Sequence, residues 1–96
     1  MMRKYEIMYI VKTDLSDEQF DALSERLYDA IRNHGGTIDE VDNWGNRELA
    51  YEIDHMKKGH YVVVECTADR EGIAEFERLC RISRDVIRYM VIRKDD

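Results

Sequence analysis

The chain has 96 residues, of which 44% are hydrophobic and 38% charged, and its formal net charge is -6. This length suits one domain with a single core, and no apolar run is long enough to cross a bilayer. The negative charge argues against a protein that binds nucleic acid alone through a general basic surface. We therefore expect a soluble single domain over residues 1–96. The first residues enter a strand pattern without an apolar signal region, which predicts a cytoplasmic location.

Charge is unevenly distributed along the chain. Acidic residues dominate positions 13–54, whereas basic residues dominate positions 78–94. One end of the fold is therefore expected to be basic although the protein as a whole is acidic.

Two elements are predicted in the first third of the chain. Residues 3–12 alternate between apolar and mixed positions, which predicts a half-buried strand. Ser16 and Gln19 have capping-box spacing, and apolar residues recur at helical spacing up to Gly35 and Gly36, which predicts a helix over residues 17–34. The strand residues expected to face the core are Tyr5, Ile7, Tyr9 and Val11.

Four further elements follow. Residues 37–54 predict a long second strand interrupted around residues 43–46, and residues 55–59 predict a five-residue turn that ends in glycine. Residues 60–67 predict the third strand. Asp69 is expected to cap a second helix that ends near Ser83, and residues 86–93 predict a fourth strand.

This order predicts an α+β, ferredoxin-like β-α-β-β-α-β fold, with a four-stranded antiparallel sheet and two helices on one face. The opposite face of the sheet, called the open face here, would then have no cover from its own chain. The fourth strand would lie beside the first and the second strand at the far edge. The stretch 44–53 and the basic chain ends are therefore expected at opposite sides. The residues expected on the open face are Lys4, Met8, Ile10, Tyr61, Val63, Arg88, Met90 and Ile92.

No catalytic or metal-binding constellation is evident. The histidines are scattered and lack ligand-spaced partners, so surface histidines are favoured over metal ligands. Cys66 and Cys80 lie in apolar patterns, which favours buried thiols over a disulfide. No histidine stands at a spacing that would activate either thiol, and Ser16 is better explained as a helix cap than as a nucleophile. We expect no cofactor, no metal and no small-molecule substrate.

Two sets of residues are candidates for binding. Basic side chains near both termini fall on strands expected to be adjacent, which suits phosphate contact, although charged edges also prevent aggregation. The stretch 44–53 forms a long edge strand that a protein partner could use. The candidates for RNA contact are Arg3, Lys4, Arg88, Arg93 and Lys94. The candidates for partner contact are Trp44, Arg47, Leu49 and Tyr51.

Several segments resemble one known family over essentially the whole chain. They are Arg3-Lys4-Tyr5-Glu6-Ile7, Gly45-Asn46-Arg47-Glu48-Leu49-Ala50-Tyr51-Glu52-Ile53, Gly59-His60-Tyr61, Arg81-Ile82 and Val86-Ile87-Arg88-Tyr89-Met90-Val91. Together they are similar to the bacterial small-subunit ribosomal protein six (bS6) family, whose signature is the Gly45–Ile53 segment.

The resemblance implies a structural protein of the small-subunit platform, without catalysis or cofactor. It implies pairing with ribosomal protein eighteen (bS18) and joint binding to the central domain of small-subunit ribosomal RNA. A basic partner would explain how an acidic chain joins an RNA assembly. The alternative is a small ferredoxin-like dimeric enzyme or ligand-sensing module that uses the open face, which would need a polar cluster in a pocket there.

Overall fold

The computed structural model describes residues 1–53 and 55–94, which form strands and helices in the order β-α-β-β-α-β. The elements are β1 (Arg3–Val11), α1 (Asp17–Arg32), β2 (Thr37–Ile53), β3 (Met56–Ala68), α2 (Arg70–Ile82) and β4 (Val86–Arg93). All strand pairs are antiparallel, and the sheet order is β2-β3-β1-β4. The predicted ferredoxin-like fold is therefore confirmed.

The core lies between the two helices and one face of the sheet. The strand residues predicted to face it are buried, and Tyr9 is fully enclosed. Its hydroxyl lies 2.9 Å from Ser24 Oγ and 2.7 Å from Tyr28 Oη. These hydrogen bonds satisfy polar atoms that would otherwise be costly to bury.

Local sequence signals explain where the helices begin. Ser16 and Gln19 form the predicted capping box at the start of α1. The Asp69 carboxylate accepts from Gly72 N at 2.7 Å and caps α2. The helix α1 ends two residues earlier than residue 34, because the chain leaves it through a turn in which Gly35 has φ +81°. Glycine adopts this left-handed conformation without steric cost.

The hairpin of β2 and β3 differs from the prediction in two ways. The interruption at residues 43–46 is wrong, because β2 continues through it and only its pairing register shifts, between Asn43 and Gly45. Gly45 has φ +76°, so glycine makes a bulge there and the strand does not break. The five-residue turn is also wrong, since β3 begins at Met56 and pairs it with Ile53. The predicted strand end at Asp54 lies outside the described residues.

The outer part of this hairpin bends over the open face. Ile10 points to that face, yet only 3% of it is exposed, because it lies against Gly59 and shares a groove with Leu49 and Tyr51 of the outer hairpin. Leu49 also lies beside Gly59. The prediction that the open face has no cover from its own chain is therefore wrong at this end. Three register irregularities in β2 account for the bend, since bulges increase strand curvature and twist.

Candidate functional site

Four of the five basic candidates lie at one end of the sheet. Arg93 is the last residue of β4 and pairs with Tyr5 of β1, and Lys94 N donates to the Lys4 carbonyl at 2.9 Å. The start of β1 and the end of β4 therefore place Arg3, Lys4, Arg93 and Lys94 together. The prediction that these residues lie on adjacent strands is confirmed.

These four side chains are divided between the two faces of the sheet. Arg3 and Arg93 lie on the helix side, where they line a cleft of about 410 Å³ together with Arg70 of α2. Met1, Tyr5, Asp69 and Glu71 complete the lining. The Asp69 carboxylate caps α2 and keeps its charge, so three arginines face two carboxylates in this cleft.

Lys4 and Lys94 lie on the open face, beside Asp39 and Glu65. The Lys94 ammonium forms an ion pair with Glu65. This contact raises the pKa of Lys94 and lowers the pKa of Glu65. Hydrogen bonds from the Thr67 and Thr37 hydroxyls lower the pKa of Asp39. Carboxylates thus partly offset the two lysines, whereas the arginines on the helix side have a more basic setting.

Arg88 is separated from the other basic candidates. It pairs with Ile10 in register and lies five residues before Arg93 in β4, or roughly 16 Å along the strand. Its guanidinium donates to Tyr51 Oη at 3.1 Å. The prediction that residues 44–53 and the basic residues lie on opposite sides is therefore wrong for Arg88. The bend of the β2–β3 hairpin brings Tyr51, which belongs to the edge strand β2, across the open face to Arg88 of β4.

Trp44 forms a stack with its neighbours on the open face. Its ring is nearly parallel to that of Tyr61, with centroids 6.2 Å apart and an angle of 11°. Its Nε1 donates to Asp42 Oδ2 at 2.9 Å, and the Arg47 guanidinium lies 5.8 Å from the indole centroid. The residue nevertheless remains 43% exposed. It is held in one orientation while presenting an aromatic surface, as interface aromatics commonly do.

Leu49 and Tyr51 line an adjacent groove of about 210 Å³. The groove lies between the outer hairpin and the sheet, and Tyr51 is 64% exposed at its edge. The other lining residues are Met8, Ile10, Ala50, Ile53, Tyr61, Arg88 and Met90. This apolar surface with one guanidinium suits protein contact and offers no polar cluster for holding a small molecule.

The remaining reactive side chains have structural roles. His60 stacks on Phe20 with centroids 4.1 Å apart, and its Nε2 lies 2.6 Å from Asn43 Oδ1. Burial lowers the pKa of His60. Cys66 and Cys80 are buried free thiols, and burial raises their pKa values to about 11 and about 12. They therefore stay protonated and unreactive near neutral pH.

Residues 1–53 and 55–94 contain no group of three or more His, Cys, Asp or Glu side chains positioned to hold a metal ion. Within the same residues, no helix is long and apolar enough to span a membrane.

Arg70 was not predicted from the sequence. It is the first residue of α2, directly after the cap Asp69. It lies outside the basic segment 78–94 and far in sequence from the basic residues at the start of the chain. Strand register offers a signal that could have identified it, because Arg3 pairs with Ala68 in β3. The chain enters α2 two residues later, so Arg70 must lie near the start of β1 once that register is known.

Comparison with known proteins finds relatives of one family that match nearly the whole chain. Residues 4–93 match the family model described as ribosomal protein S6. A small ribosomal subunit protein bS6 from Desulforudis audaxviator is 45% identical over 94 residues, which cover 98% of this chain and 100% of that protein. Its counterpart from Carboxydothermus hydrogenoformans is 43% identical over 95 residues, with 99% of each chain covered.

Solved structures support the same relationship. The crystal structure of 30S ribosomal protein S6 from Thermotoga maritima has a TM-score of 0.89 and 32% identity, covering 98% of this chain and 89% of that chain. A crystal structure of an Arabidopsis thaliana protein has a TM-score of 0.55 and 15% identity, covering 98% and 94%. The second likeness extends to the fold alone.

Proposed function

The chain belongs to the ribosomal protein S6 family, and from this premise we propose that it binds the central domain of small-subunit ribosomal RNA together with ribosomal protein eighteen (bS18). As a family member it is a structural protein of the small ribosomal subunit and not an enzyme. The proposal concerns what it contacts there and through which residues.

The observation that carries the RNA part is the basic end of the sheet. Arg3, Lys4, Arg93 and Lys94 converge there on a protein whose net charge is -6. Arginine and lysine side chains gathered at one site make favourable phosphate contacts even when the rest of the surface repels RNA. Arg88, at the other end of β4, is proposed as a separate contact near the partner surface.

The open face supports the partner part of the proposal. Trp44 and Tyr51 are large, exposed aromatic residues, and Leu49 and Tyr51 line an apolar groove on the sheet. Arg47 lies against the Trp44 ring and completes the proposed contact set. Anchored aromatics and arginines of this kind commonly dominate the energetics of protein interfaces. A basic partner on this face would also offset the acidity of the chain and strengthen joint binding to RNA.

The RNA assignment is tested by replacing Arg3 and Arg93 with alanine and measuring affinity for a central-domain RNA fragment across a salt series, with bS18 present. We expect weaker binding and a shallower salt dependence, by about one unit of slope for each lost phosphate contact. The charge-matched control replaces Arg26 and Arg84, which lie away from the cleft. Equal affinity and slope for the two double variants would refute the assignment.

The partner assignment is tested separately with Trp44→Ala and Leu49→Ala. Each should weaken bS18 binding in the absence of RNA, by at least about tenfold for a residue at the centre of the interface. Ile82→Ala is a matched control because Ile82 is 59% exposed and lies in α2, on the opposite side of the sheet. A loss caused equally by Ile82→Ala would contradict the assigned surface.

A further inference from the structure

The cleft on the helix side is lined by three arginines, of which only two come from the ends of the chain. Arg3 comes from the start of β1, Arg93 from the end of β4 and Arg70 from the first turn of α2. We name this group the arginine cleft. Its members are separated widely in sequence, and the fold alone brings them to one cavity of about 410 Å³.

Two arginines elsewhere in the protein are held in ion pairs with nearby carboxylates. Arg32 bridges to Glu25 at 2.9 Å, and Arg78 bridges to Glu75 at 2.7 Å. Within residues 1–53 and 55–94, the three cleft arginines form no such ion pair. They therefore retain the donors that a planar guanidinium directs at phosphate oxygens.

The two acidic residues of the cleft offset part of its charge, and three arginines against two carboxylates leave it basic. The carboxylate of Asp69 is occupied by its hydrogen bond to Gly72 N, and Glu71 is an exposed residue of the first helical turn. Both carboxylates have the position that the α2 dipole favours. A cation such as Arg70 gains nothing from that dipole, so the helix dipole does not explain a positive charge in the first turn.

We propose that the arginine cleft binds one phosphodiester group of the ribosomal RNA, with Arg70 as the third ligand beside Arg3 and Arg93. This inference rests on the proposed function and extends it by a residue and a chemical group. Guanidinium groups on three separate elements can donate to the two non-bridging oxygens of one phosphodiester from different directions. The lysines on the open face, where Lys94 is paired with Glu65, make weaker candidates for this role.

The first test compares Arg70→Ala with Arg26→Ala, which removes the same charge from the exposed surface of α1. RNA affinity in the presence of bS18 should fall about tenfold for Arg70→Ala, and its salt slope should decrease by about one. Arg70→Lys should restore the slope but not the full affinity, because an ammonium lacks the bidentate geometry. Identical results for Arg70→Ala and Arg26→Ala would overturn the proposal.

A double-mutant cycle tests whether the arginines share one phosphate. Arg3→Ala and Arg70→Ala should be non-additive, since loss of either disturbs the same ligand. Arg70→Ala and Arg88→Ala should be additive, because Arg88 lies at the far end of β4. Additivity in the first pair would overturn the shared site. Thermal melting of each variant verifies that it folds.

A measurement without RNA or partner separates this inference from the proposed function. Titration of the isolated protein with inorganic phosphate should shift the NMR signals of the Arg3, Arg70 and Arg93 Nε–H groups, with Arg26 as the unaffected reference. If these signals shift while the wild-type protein fails to bind the RNA fragment with bS18 present, the cleft stands as a phosphate site and the proposed function falls. If RNA binds but Arg70→Ala matches its control and no signal shifts, the cleft falls alone.

Discussion

Gly59 should determine whether the outer hairpin can close over the open face. An ordinary contact between two carbon atoms is about 3.5–4.0 Å long. A methyl group added at Gly59 would lie more than about 1 Å closer than this to Ile10 Cγ2. Leu49 Cδ2 lies 3.4 Å away on another side. Ile10 is β-branched and sits in a strand paired on both sides, so it has little freedom to move.

Gly59→Ala is therefore expected to destabilise the protein. Overpacking costs about 1–3 kcal/mol, and the better strand propensity of alanine offsets about 0.5–1 kcal/mol of it. The net loss is about 1–2 kcal/mol. In a domain of this size, each kcal/mol lost lowers Tm by about 4–8 °C. Urea unfolding at equilibrium measures this free energy directly.

Coupling between Gly59 and Ile10 provides the decisive comparison. Ile10→Ala alone should cost about 2–5 kcal/mol, but it removes the clashing methyl group, so the double variant should lose less than the sum. The control is Gly45→Ala, where a methyl group meets no atom within 4 Å and only the positive φ is strained. That variant should be additive with Ile10→Ala. Wild-type stability of Gly59→Ala, or additivity with Ile10→Ala, would refute the close packing of Gly59 on Ile10.

Three further predictions concern polar groups. Tyr51→Phe and Arg88→Ala should each lower the free energy of unfolding by less than about 1 kcal/mol, because each deletes the same exposed hydrogen bond. The double variant should lose no more than either single variant, and urea unfolding of all three measures this. Tyr9→Phe should cost about 1–2 kcal/mol by the same measurement, since its hydroxyl joins two buried hydrogen bonds, and an unchanged free energy would contradict their role. Burial lowers the pKa of His60, so the folded protein resists its protonation. Stability should therefore decline as the pH falls below about 6.5, the value of an exposed histidine, and His60→Gln should show a shallower decline.

The hairpin also changes how the two predicted binding sets relate to each other. The sequence predicts RNA contact for Arg88 and partner contact for Tyr51, yet a hydrogen bond of 3.1 Å joins the two residues. A perturbation of either residue is therefore expected to affect both surfaces. For this reason the arginine cleft, at the other end of β4, gives the cleaner test of RNA contact.

Local sequence signals determined the elements and the core. Alternation identified the buried side of β1, the Ser16–Gln19 capping box located the start of α1, and Asp69 located the start of α2. These features depend on contacts within a few residues or on a repeat that matches one face of an element. The signature from Gly45 to Ile53 identified the family for a similar reason, because it is a contiguous pattern.

Tertiary structure alone decided how the candidate surfaces are assembled. The bend of β2 and β3 covers Ile10 and carries Tyr51 to Arg88, and no local pattern specifies how several register shifts combine into curvature. The cleft that adds Arg70 to Arg3 requires the register between β1 and β3, which is set by packing across the whole sheet. Sequence periodicity reports which side of an element is buried, whereas the meeting of distant side chains depends on long-range pairing.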